Sequence, residues 1–298
     1  MKKRPRASIP FVLALAVLLV LAACGSQTEE GGAAEPGAAT SIQNKGSDTM
    51  VNLALAWAEE YGRIRPEVQV AVTGGGSGTG IAALINGTVD MANASRRIKQ
   101  AERDNAQANG IEPVEQVVAG DAIAVVVHPD NPVDGLTIPQ LSAIFSGQVT
   151  NWRDVGGEDR PIVLLSRESN SGTHVFFLEE VVRQGDKEDK TLFSPDTLLM
   201  PSSEGISAEI RQNPNAIGYD GLGYVTHDQK VVAVAPSDSD ALVMPTIETV
   251  KDDSYPIARG LYIYTDGQPQ GVILEYMDWI MGPGGQAIVQ DLGFVPLQ

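Results

Sequence analysis

Cysteine is nearly missing from this chain. Cys24 stands alone among 298 residues, so no disulfide can form within it. Histidine is almost as scarce: His128, His174 and His227 show no His-x-x-x-His spacing and no cysteine partner, so no zinc or other metal site is expected. Positive charge is also in short supply. Lys and Arg number 21 against 38 Asp and Glu, a formal charge of -17, and no basic cluster occurs beyond the first six residues. A surface that tracks nucleic-acid phosphates is thereby excluded. Nucleotide signatures are absent too. After Gly76-Ser77-Gly78-Thr79-Gly80 comes Ile81, where a P-loop needs Lys and a dinucleotide fingerprint needs a third Gly. The nearest approach to Gly-x-Ser-x-Gly, around Ser77, ends in Thr79 rather than Gly, and no base is ordered to serve it. Neither a cofactor nor an enzyme is expected.

What is present begins with an export signal. Lys2, Lys3, Arg4 and Arg6 precede an unbroken apolar run from Phe11 to Ala23. That run is too short for a membrane span, which takes about 20 residues, but it suits a secretory core. Leu21-Ala22-Ala23 then leads directly to Cys24, which resembles the lipobox of bacterial lipoproteins. Residues 1–23 are expected to be a cleaved signal peptide, with Cys24 carrying lipid and residues 24–40 forming a flexible Gly/Ala/Glu tether. Cleavage would leave 17 basic residues against 38 acids, a mature charge of -21. The body, with no further run of eighteen apolar residues, is expected to be soluble and held at the outer face of the cell membrane.

From residue 43 onward short β-branched runs alternate with helical patterns. Strands are expected near 68–73, 89–92, 114–119, 122–127, 161–166, 217–225, 231–235 and 257–265. Helices are expected near 51–61, 79–86, 97–109, 137–145, 173–182, 203–212, 270–281 and 283–291. Thr137-Ile138-Pro139-Gln140 is a capping box with an early proline. Such alternation implies an α/β fold with mostly parallel central sheets.

Three Ser/Thr-rich turns fall between a strand and a helix: Gly46 to Met50, Gly76 to Gly80, and Arg167 to Thr173. Glycine admits close backbone approach, and the first N–H groups of a helix lack intrahelical acceptors, so such turns suit oxyanions. Hydroxyls add donors, and Arg167 offers a planar fork. Asp48, Glu168 and Asp220 are carboxylates that could line a cleft.

These turns carry a resemblance. Gly46-Ser47-Asp48-Thr49, Thr73 to Ile81, Asp90 to Arg96 and Arg167 to Thr173 look like the phosphate-binding proteins of bacterial ABC phosphate importers. So do Leu141 to Asp154, Ile217-Gly218-Tyr219, Tyr255 to Arg259 and the stretch from Gly284 to Pro296, in family order over residues 41 to 298. The resemblance implies a two-lobed periplasmic-binding-protein fold of type II, with the ligand cleft between lobes. Residues 41–122 and 252–298 would form one lobe and 123–251 the other. It implies extracytoplasmic capture of inorganic phosphate by a monomer and delivery to transmembrane permease subunits. Other readings are another tetrahedral oxyanion (sulfate, molybdate or tungstate), or a phosphate sensor or phosphate-dependent enzyme on the same fold. By the same resemblance, phosphate would meet Thr49, Met50, Ser77, Ser95, Arg167, Ser171, Gly172 and Thr173. Many members carry Asp where this chain has Ser95, which leaves Asp48 or Glu168 to accept the phosphate proton.

Overall fold

The computed structural model describes residues 40–297. The expected signal segment, Cys24 and the tether to residue 39 lie outside the described residues. Thr40, expected as the tether's last residue, already opens the first strand.

In chain order the first half runs β1 (Thr40–Gly46), α1 (Val51–Ile64), β2 (Val68–Thr73), α2 (Ser77–Ile85), β3 (Met91–Ala94), α3 (Gln100–Ala108) and β4 (Pro113–Val127). Then come β5 (Gly135–Thr137), α4 (Ile138–Phe145), β6 (Val163–Arg167), α5 (Gly172–Phe177), β7 (Leu198–Met200), α6 (Ser203–Gln212), β8 (Ala216–Gly221) and β9 (Lys230–Ala235). The chain closes with α7 (Ile247–Lys251), β10 (Ala258–Asp266), α8 (Gly271–Met281) and α9 (Pro283–Asp291).

Local chemistry explains most of these elements. In α1, Leu53, Ala54, Trp57 and Tyr61 recur at helical spacing and are buried against Ile42 and Val68 of the neighbouring strands. Helix α4 has its capping box in place: the Gln140 N–H donates to the Thr137 hydroxyl, and the Thr137 N–H to the Gln140 side chain.

The sheet is mixed rather than mostly parallel. β1 pairs in parallel with β2 and β3, and β6 with β7 and β8, as βαβ units require. The two longest strands break that rule. β10 runs antiparallel to both β3 and β4, and β4 runs antiparallel to β8 and β9. β4 is also one strand, where two were expected with a break at Gly120-Asp121. Gly120 is held by a bridge to Val295, and Asp121 has a buried arginine partner, so neither has to form a turn.

The molecule has two lobes, each with its own core. Ile42, Leu53, Trp57, Leu261, Tyr276 and Phe294 anchor the first; Phe145, Trp152, Phe177, Tyr219 and Val232 anchor the second. β4 enters both, with Val118 in the first and Ile123 in the second. Tyr255 and Ile257 pack in the second core, although the expected boundary gave them to the first lobe. Tyr224 packs in the first core, although it lies within 123–251. Its reach follows from the end of β8 at Gly221, four residues short of the expected strand, where a 3-10 turn carries Leu222 to Tyr224 across.

Candidate functional site

All three Ser/Thr turns follow a strand and open a helix: β1 leads to the 3-10 turn Asp48–Met50, β2 to α2, and β6 to α5. The sheet therefore presents their hydroxyls at one seam. The Thr49 and Thr173 Oγ1 atoms, 124 residues apart in sequence and one from each expected lobe, lie 2.8 Å from each other. The Ser95 N–H donates to the Ser77 hydroxyl at 3.0 Å, and the two hydroxyl oxygens are 3.3 Å apart. Gly172 closes onto that pair. A Cβ there would fall 2.3 Å from Ser77 Oγ and 2.6 Å from Ser95 Oγ, so only glycine fits. Ser171 caps α5, its hydroxyl accepting from the Thr173 and His174 N–H groups. Thr49, Ser77, Ser95 and Thr173 are each at most 1% exposed.

The other expected residues sit differently. Met50 donates its N–H to the Ser47 carbonyl and buries its side chain in the first core, so that N–H is already engaged. Arg167 is buried, but its bonds run to protein acceptors: the Ser203 hydroxyl at 3.0 Å, Asp48 Oδ2 at 2.8 Å, and the Pro201 and Met200 carbonyls. Four of its five N–H groups are thus engaged. Asp48 takes the Gly75 N–H on its other oxygen. Glu168 is exposed, unlike the buried hydroxyls. His174 is half-buried, with Nδ1 2.9 Å from the Ser166 hydroxyl and its ring against Phe193. Burial pushes its pKa down, so the ring is neutral at pH 7.

The seam also gathers residues not expected there. Arg259 donates Nε and Nη2 to Asp121 Oδ2 at 3.1 and 2.8 Å, and Nη1 to the Ser95 carbonyl at 2.9 Å. Its Nη2 also lies 3.0 Å from Thr173 Oγ1 and 3.5 Å from Thr49 Oγ1. Burial pushes the Asp121 carboxyl up while the adjacent guanidinium pulls it back. Asp220 takes the Ser203 hydroxyl and the Gly221 N–H on Oδ1, while its Oδ2 is buried without a partner among the described residues. Burial pushes it up to about 6 against the opposing pull of Arg167. The Asn170 carboxamide donates to the Gly75 carbonyl at 2.8 Å, and the Asn170 backbone carbonyl accepts from the Gly78 N–H. One sequence signal could have found Asp121: it is an acid within an otherwise apolar β-run. Arg259 carries the matching mark, as the one charged residue in the apolar run 257–265.

Known proteins share this sequence and fold. Residues 31–283 match the family model described as the PBP superfamily domain. The phosphate-binding protein PstS of Pseudomonas aeruginosa is 34% identical over 88% of this chain and 84% of its own length. The chain belongs to this family of phosphate-binding proteins. PstS of Bacillus subtilis is 30% identical over 96% of this chain and 92% of its own. Among solved structures, the family fold recurs in a Clostridium perfringens protein with bound phosphate, described as a substrate-binding protein of a phosphate ABC transporter. It has a TM-score of 0.78 and 29% identity, covering 87% of this chain and all of that one. An ABC-type phosphate transport receptor from Vibrio cholerae gives 0.69 and 28% over 86% and 100%.

Proposed function

We propose that this protein captures inorganic phosphate outside the cytoplasm and delivers it to the permease of an ABC importer, without covalent chemistry. The observation that carries this reading is the meeting of Thr49, Ser77 and Ser95 with Gly172 and Thr173 in one buried cluster. Hydroxyls and backbone N–H groups, fixed by turns and excluded from water, bind a small oxyanion strongly because few of them must reorganise. Thr49, Ser77, Ser95, Ser171, Gly172 and Thr173 grip the anion, and Arg167 adds its remaining N–H. Contacts from both lobes make occupancy favour the closed form, and closure is the shape a permease can read. Among the described residues no group of three His, Cys, Asp or Glu side chains is set to hold a metal.

Ser95 bears on which oxyanion is taken. A hydroxyl can donate to an unprotonated oxygen or accept from a protonated one, whereas a carboxylate would repel sulfate. Both oxygens of Asp48 are bonded, and Glu168 is exposed, so neither restores that repulsion. Phosphate is therefore preferred over sulfate by a modest margin. Calorimetric titration of phosphate-stripped protein with phosphate, sulfate, arsenate and molybdate tests both statements. Phosphate should bind most tightly, with sulfate detectable at millimolar concentration. Absence of phosphate binding would defeat the reading, and undetectable sulfate binding would defeat the claim about Ser95.

A further inference from the structure

We propose that Arg259, held in place by Asp121, gives the bound anion a charge-assisted hydrogen bond from within the hydroxyl cluster. The inference rests on reading the hydroxyl cluster as a phosphate site. A tetrahedral dianion buried between two lobes must replace the hydrogen bonds it gives up in water, and charge-assisted donors replace them best. Three arginines are buried near the seam. Arg96, beside Ser95, turns its fork to Glu102 and to the Arg97 carbonyl. Arg167 spends four of its five N–H groups on Asp48, Ser203 and two backbone carbonyls, and no hydrogen bond joins it to Thr49, Ser77, Ser95 or Thr173. It ties one lobe to the other through Asp48. Arg259 is directed into the cluster. Its Nη2 lies 3.0 Å from the Thr173 hydroxyl and 3.5 Å from that of Thr49, so one guanidinium reaches hydroxyls from both sides of the seam.

The surroundings fix that guanidinium and leave one N–H over. Asp121 Oδ2 takes two of its N–H groups and the Ser95 carbonyl a third, and its Cζ lies 5.7 Å from the Phe176 ring centre. A bond from Nη2 to Thr173 Oγ1 leaves the Thr173 proton free for the Thr49 oxygen or for the anion. The charge thus polarises the Thr49–Thr173 pair, and a second Nη1 N–H remains for a phosphate oxygen. Asp121 is a positioning residue. It is fully buried at the middle of β4, opposite Arg259 in the β4–β10 register, so backbone pairing sets the angle of the fork.

The test is phosphate titration of the parent, Arg259→Gln, Arg259→Lys and the paired variant Asp121→Asn with Arg259→Gln, each with a melting curve taken without phosphate. The paired variant removes both charges and keeps hydrogen-bonding groups on both sides, which protects the fold. It should melt as a single transition and bind phosphate about 100-fold more weakly than the parent, the loss expected for one or two charge-assisted bonds. Arg259→Lys, retaining charge without the fork, should lie between that variant and the parent. A folded paired variant that binds within about threefold of the parent overturns the proposal. If the neutral variants do not fold, the parent's side-chain Nη resonances carry the test, assigned by comparison with Arg259→Lys. The Arg259 signals should shift as phosphate is added, and signals that stay unmoved at saturation overturn the proposal. A parent that binds no phosphate would instead fail the functional reading itself.

Discussion

Asp220 shows how far one buried carboxyl can set the pH response of the molecule. It is 1% exposed, with one oxygen bonded and the other without a partner. Arg167 is near enough to lower its pKa but is shared with Asp48, so burial dominates and the pKa rises from 3.8 to about 6. Between these values the folded protein holds a proton that the unfolded chain has lost, and stability falls as pH rises. The contribution is complete below about pH 4 and gone above about pH 7; two pKa units correspond to roughly 3 kcal/mol. Asp220→Asn removes the titration while keeping a neutral group of the same shape. In melting curves without phosphate, the variant should exceed the parent most at pH 8 and match it near pH 4. A gain that does not vary with pH would show that Asp220 is not the titrating group.

At the scale of elements, the approach of α5 to the start of α2 turns two halves into one site. Gly172 makes this testable, because the atoms nearest to a Cβ there belong to the Ser77 and Ser95 side chains across the seam. Gly172→Ala should leave melting without phosphate nearly unchanged and weaken phosphate binding by about 100-fold or more. The 2.3 Å contact cannot be relieved by a flexible side-chain end, since Ser77 Oγ is held by the Ser95 N–H. Parental affinity would mean that α5 does not close on α2 when phosphate binds. The turns themselves were legible in sequence, because glycine and hydroxyl residues between a β-run and a helical pattern say what the backbone will do. β4 was misread for a related reason: Gly120-Asp121 has the composition of a turn, and only partners more than 130 residues away, Val295 and Arg259, keep it extended. Arg167 was legible as a cation at the third turn but not in its direction, which depends on Asp48 and Ser203 in distant segments. The antiparallel pairings of β10 escaped notice because periodicity identifies a strand and not its neighbours.

For the whole molecule, the puzzle is an anion binder with a formal charge of -17. The cluster attracts through fixed dipoles and one neutralised guanidinium, which act over a few ångströms, whereas the acidic surface acts over the screening length. That length is about 30 Å at 0.01 M salt and about 10 Å at 0.1 M. A phosphate approaching at low salt therefore meets net repulsion before it meets any donor. The groove beside Arg259 does not reverse this, since Arg96, Arg97 and Lys99 face Glu179 and Glu180 across it. Association should accordingly speed up as salt rises from 10 to 100 mM, the reverse of ordinary electrostatic steering. Dissociation should hardly change, because the buried donors are screened little by salt. Stopped-flow measurement of closure at fixed pH separates the two rates. An association rate that falls over this range would mean that the basic wall of the groove outweighs the acidic surface, and that ligand is drawn in along Arg97 and Lys99.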